Sequence, residues 1–192
     1  MWLDTVNRES NKVLDVCWKH FQLDQMNGNS ELELRNWSEW TPDLIRKSRS
    51  ILAAIAGESV RRNQPEYFGV FHKTLLEQRH GPTGTRIHLN DQNTLIEIAD
   101  NLGIDAASIA RDLEDCSLIE IISQNHYEAV EKHGVFGTPT FVFENGNSVY
   151  LKTFIPPADE AEQFFDEFFS MMGGKSYVGE LKRPQPPWPK GV

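Results

Sequence analysis

A chain of 192 residues with a net charge of −9, a pI near 5.1 and no basic run argues against binding a nucleic-acid phosphate backbone as its main activity. Apolar residues make up 39% of it, enough for one core, yet no apolar run approaches the roughly 18 residues that a membrane-spanning helix needs. The opening Met-Trp-Leu-Asp-Thr-Val-Asn-Arg-Glu lacks the basic-then-apolar layout of a secretory signal, and two separated cysteines make no disulfide framework, so a reducing, cytoplasmic setting is expected.

Trp2, Leu3 and Val6 lie on one side of a helix over 2–10, broken by Asn11 and Lys12. Residues 13–23 alternate apolar and polar from Val16 and predict a strand. Residues 24–41 are polar, with Asn-Gly-Asn-Ser at 27–30, and predict an ordered loop in which Trp37 and Trp40 find packing. Thr41 and Pro42 suit the cap and first position of a helix to 62, and Pro65 starts another that stops at His80-Gly81-Pro82. Asn90 or Asp91 caps a third helix through Leu102, Asp105 a fourth to Leu113, and a fifth runs over 117–133 with Gly134 closing it. A strand over 140–144 follows, then a hairpin turn whose Asn145-Gly146 supplies positive φ, a strand over 149–153 and a last helix over 158–172. On that helix Ala161, Phe164, Phe165, Phe168 and Phe169 predict the buried face, and Glu160, Glu162, Asp166 and Glu167 the solvated one. The tail with Arg183-Pro184-Gln185-Pro186-Pro187-Trp188-Pro189 is expected to be extended.

Residues 133–143, His-Gly-Val-Phe-Gly-Thr-Pro-Thr-Phe-Val-Phe, bring a helix through a tight turn into a strand with proline at its start. A proline there is a candidate for a cis peptide. This stretch resembles the cis-proline loop of the thioredoxin superfamily, most closely its DsbA-like branch. The order of helix, strand, helical block, strand, hairpin, strand and helix is similar to that branch over about 2–172. Lys19-His20-Phe21-Gln22-Leu23-Asp24-Gln25-Met26-Asn27 and Glu180-Leu181-Lys182-Arg183-Pro184 resemble a bacterial subgroup of DsbA-family oxidoreductases. The resemblance implies an α/β, thioredoxin-like fold with a helical insertion. The thioredoxin-like part would be 1–23 and 134–172, the insertion 42–133, and the extended Pro-rich tail 173–192.

It also implies a first strand and a Cys-Pro-x-Cys turn ahead of the first helix, whereas the chain opens inside that helix. Two explanations fit. Met1 is an internal methionine of a longer frame, or the chain is a genuine short form that has lost redox chemistry. The uncapped helical pattern of Trp2-Leu3 favours the first. Without that central strand, its neighbours are expected to expose backbone and apolar faces and to aggregate unless another strand fills the gap.

No Cys-x-x-Cys occurs, so no catalytic residue is assigned. Cys17, between Val16 and Trp18, is expected to be a buried, inert thiol. Cys116 follows Glu114 and Asp115, carboxylates that raise a thiol's pKa, and is expected to be structural or a surface thiol. A Cys17–Cys116 disulfide is left open by the sequence and disfavoured by the compartment. The six histidines show no His-x-x-x-His spacing, so no metal is expected, and His126 and His133 are assigned to the surface or an interface. By resemblance, Gly137, Thr138 and Pro139 contact substrate.

The leading expectation is a DsbA-like thiol–disulfide oxidoreductase family protein, inactive as written, whose partners are protein thiols and disulfides or a small thiol. It needs no cofactor. A second is a glutathione-dependent isomerase or transferase, resembling 2-hydroxychromene-2-carboxylate isomerases and kappa-class transferases, for which glutathione would be the cofactor. A third is a non-catalytic binding protein using the cis-proline groove, as a possible homodimer. Neither nucleic acid nor membrane is an expected partner.

Overall fold

The computed structural model describes residues 2–24, 47–81, 83–115 and 117–181, which divide into two compact units. Thr41, Pro42, Trp37, Trp40, Pro82, Cys116 and the tail from 182 lie outside the described residues. One unit comprises Met1–Trp18 and Val130–Val192, the other Lys19–Ala129.

The first unit holds helix α1 (Trp2–Glu9), strands β1 (Thr140–Val142) and β2 (Ser148–Tyr150), and helix α7 (Ala161–Phe168). Trp2 is the centre of its core. The indole meets the rings of Phe141, Phe164, Phe165 and Phe168 at centroid distances of 4.8–6.2 Å, and its Nε1–H donates to the Ala161 carbonyl at 3.1 Å. Lys12 donates to Glu162 at 2.7 Å and pairs with Asp166 at 3.1 Å across the exposed side of α7.

β1 and β2 pair antiparallel with Thr140 opposite Tyr150, Phe141 opposite Val149 and Val142 opposite Ser148. They are shorter than the expected 140–144 and 149–153, although Phe143 N–H to Asn147 O (2.9 Å) and Leu151 N–H to Pro139 O (3.1 Å) extend the pairing at both ends. The turn also differs from expectation. The Phe143–Asn147 bond closes a three-residue loop, and only Gly146, at φ +87°, is left-handed. That is a type I turn with a glycine bulge rather than two positive-φ residues in a row.

The last helix is not one regular run. A 3₁₀ turn (Ala158–Glu160) precedes α7, and a π turn (Phe169–Gly173) follows it, where the Asn145 and Asn147 side-chain amides donate to the Gly173 carbonyl at 2.7 and 3.1 Å. Because Phe169 begins that wider turn, the helical spacing ends before it. Ala161 and Phe168 are buried, but Phe169 is half exposed.

The second unit is helical: α2 (Ile51–Asn63), α3 (Phe68–His80) after a 3₁₀ turn at Pro65–Tyr67, α4 (Gln92–Asn101), α5 (Ala106–Glu114) and the start of α6 (Ser117–His133). α2 is central, buried at Ile51 and continuously over Ala54–Val60. One side packs on Leu118, Ile119 and Ile122, and another on Phe71, Leu75, Leu95 and Ile109. Asp91 caps α4 through Asn93 N–H and the Thr94 hydroxyl, and Asp105 caps α5 through Ala107 and Ser108 N–H. The expected continuous helix from 42 is interrupted at 48–50. The fully buried Ser48 hydroxyl accepts from Ser50 and Ile51 N–H at 3.3 and 3.2 Å, satisfying first-turn donors and setting the start of α2.

The expected strand over 13–23 does not form. Among the described residues the only ladder is β1–β2, and an alternating sequence becomes a strand only against a neighbour that takes its N–H and C=O groups. Backbone donors go to side chains instead: Leu14 N–H to Asn7 Oδ1 at 2.9 Å, and Gln22 N–H to His126 Nδ1 at 3.2 Å. Cys17 is therefore exposed, not buried in a strand.

His126 reverses the expectation of a surface histidine. It follows Leu118 and Ile122 at four-residue intervals on the buried stripe of α6 and is 2% exposed. A backbone N–H can only donate, so Nδ1 must accept and the neutral ring carries its proton on Nε2. Burial lowers the pKa of His126. Nearby, burial pushes the Glu58 carboxyl up, but the hydrogen bond and charge from His20, with Arg61 and Lys19, outweigh it and hold Glu58 below its usual range. Asp24 is likewise raised by burial and lowered on balance by Arg49 and Ser48.

A depressed histidine pKa contributes stability that is complete above the unfolded value near 6.5 and is lost as pH falls toward the folded value. The carboxylates contribute stability present above about pH 4 that is lost as pH falls further. Urea titrations from pH 7 to 3 should show both losses, with His126→Gln reducing the upper one and leaving the share of His80, whose pKa is also lowered. A flat profile between pH 6.5 and 5 in the unmodified chain would contradict this account.

Candidate functional site

α6 ends at Gly134, whose φ of +62° turns the chain out of the helix. Val135 is buried, Phe136 is 61% exposed, and Gly137 is buried again. Gly137 lies close under Tyr150: a Cβ there would stand 3.0 Å from Tyr150 Cε2, so the ring would have to yield. The Thr138–Pro139 peptide is cis, and both residues are exposed. The Thr140 hydroxyl donates to the Gly137 carbonyl at 2.7 Å, closing the turn on itself before β1 begins.

Two features flank this loop. The Phe136 and Tyr150 rings meet at 5.1 Å and 54°, which leaves an aromatic pair at the entrance of β1. Along β1 the groups of Pro139 and Phe143 face β2, so alternation directs those of Thr140 and Val142 to the opposite edge. Residues 134–143 contain no charged side chain. The uncharged surface leaves backbone groups of Thr140 and Val142 on the edge away from β2, where an extended backbone can pair.

Gly137, Thr138 and Pro139 thus stand together at one strand end. Tyr150 reaches this loop only through the strand register, which no local sequence signal carries, whereas Phe136 lies inside the 133–143 motif itself. Among the described residues no three His, Cys, Asp or Glu side chains group as metal ligands, and no described helix is long and apolar enough to cross a membrane.

A family model described as a DSBA-like thioredoxin domain matches residues 3–169. The chain belongs to that family. Its fold is accordingly the thioredoxin-like α/β fold with a helical insertion, and both the hairpin and α7 lie within the matched residues. No curated protein matches the chain. Cys17, exposed, is the one cysteine among the described residues, and it stands outside the DsbA-like loop in sequence.

Proposed function

We propose that this chain carries the substrate-facing surface of a DsbA-like thiol–disulfide oxidoreductase. Gly137, Thr138 and Pro139 receive an extended segment bearing a thiol or disulfide. Residues 42–133 act as the insertion between thioredoxin-like segments 1–23 and 134–172, with 173–192 as a tail, in a reducing, cytoplasmic setting. The observation that supports this most directly is the exposed, uncharged Thr138–Pro139 turn at the start of β1, beside the Phe136–Tyr150 pair. Family chemistry is thiolate attack on a disulfide, breaking one S–S bond and forming a mixed one. These 192 residues contain no Cys-x-x-Cys to supply the attacking thiolate, so by themselves they bind and do not turn over.

Insulin reduction with dithiothreitol tests the second half: the 192-residue chain should not exceed the uncatalysed rate, and turnover would overturn the assignment. Isotope-labelled chain titrated with an extended disulfide-bearing peptide tests the first. Signals of Thr138, Thr140 and Tyr150 should move, and Phe136→Ser should weaken binding about tenfold. Unmoved signals would remove the loop as the binding surface. Specific retention on immobilised glutathione, with no response to peptide, would replace this reading by the glutathione-dependent one.

A further inference from the structure

The turn between α3 and α4 holds a second cluster, unrelated to the loop before β1. In an acidic chain, residues 78–90 contain Arg79, His80, Arg86 and His88 and no carboxylate, although Glu77 and Asp91 flank them directly. Arg8, Arg49, Arg61 and Arg62 each meet a carboxylate. Among the described residues, Arg79 and Arg86 meet carbonyls and no carboxylate, and Arg111 likewise has no carboxylate partner. Arg79 Nη1 donates to Ile87 O at 2.9 Å and to Arg86 O at 3.4 Å, while Arg86 Nη1 donates to Arg79 O at 3.3 Å.

This reciprocal bonding anchors both guanidinium groups in one turn, and His80 feels both: partial burial and then the charges of Arg79 and Arg86 lower its pKa. Arg86 also takes φ 60°, the one non-glycine residue among those described to do so. A left-handed arginine costs on the order of 1 kcal/mol or more, where glycine would cost little.

We propose that Arg79 and Arg86 form a binding site for a dianionic phosphate group, free or as a small ester, using the Nε and Nη2 donors that the carbonyl bonds leave uncommitted. Guanidinium forks match the paired oxygens of phosphate and form charge-assisted bonds with them. The C-terminal end of α3 does not oppose an anion here. Gly81 and Arg86 N–H cover the Glu77 and Gln78 carbonyls at 2.8 and 2.9 Å, and Arg86 covers that of Arg79. Two full positive charges outweigh the residual half-charge of the helix end.

The test titrates the unmodified chain with inorganic phosphate and, separately, phenyl phosphate, against chloride at fixed ionic strength. The arginine Nε–H signals of Arg79 and Arg86 are followed by NMR. Both signals should move and saturate, and which compound binds distinguishes free phosphate from an ester. Arg86→Gly, which relieves the left-handed backbone, should melt no lower than the parent and bind about tenfold more weakly. Signals that do not respond, or an Arg86→Gly chain that binds like the parent, would mean that the two arginines serve only to cap α3, and would overturn the proposal.

Discussion

Trp2→Ala should cost the first unit about 3–5 kcal/mol, the range for truncating a large aromatic in a core. The indole is 9% exposed and contacts four phenylalanine rings drawn from β1 and α7, so the vacated volume has walls on several sides. A domain's whole stability is about 5–15 kcal/mol, so this one change removes a large share of it. Hydrogen exchange is the sensitive readout. Amides of β1, β2 and α7 should lose protection, while those of α2 to α5 keep theirs. Trp2→Phe separates ring from hydrogen bond: it keeps most of the packing and gives up the Nε1–H bond to the Ala161 carbonyl, for about 1 kcal/mol. A loss below about 1 kcal/mol for Trp2→Ala would show that the core closes without the indole.

Asp112→Ala should destabilise the second unit by about 2–3 kcal/mol. Its buried carboxylate accepts from the Ser59 hydroxyl at 2.6 Å, from Asn63 Nδ2 at 3.0 Å and from Arg62, tying α5 to α2. Ser59 is fully buried and would lose its acceptor; Arg62 is 44% exposed and would turn to water, so its share is small. Asp112→Asn keeps an acceptor for Ser59 and should recover part of the loss. Equal melting of Asp112→Ala and the parent in urea would mean that the network contributes nothing net.

What the sequence made legible is what depends on neighbours along the chain. Asp91 and Asp105 cap their helices because a carboxylate reaches N–H groups two and three residues on, whatever the rest of the fold does. The Gly137-Thr138-Pro139 turn was legible in the same way. Elements that depend on distant partners were not. Residues 13–23 have a strand's alternation but no ladder neighbour among the described residues, and the exposure of Cys17 follows from that. His126 reads as a polar residue until its four-residue spacing from Ile122 is set against the packing of α2. Tyr150 joins the candidate site only through the register Thr140–Tyr150, and Phe169 is half exposed where the regular helix gives way to the π turn.

The Trp2–Ala161 hydrogen bond spans 159 positions of the chain, and the Lys12–Glu162 bond spans 150. On a ribosome adding about 5–20 residues per second, α1 emerges roughly 8–30 s before the helix that buries it. The second unit is contiguous and is complete well before that. The nascent chain therefore carries a bare indole past a finished helical bundle, and this interval is when a chaperone that captures apolar helices has its opportunity to bind.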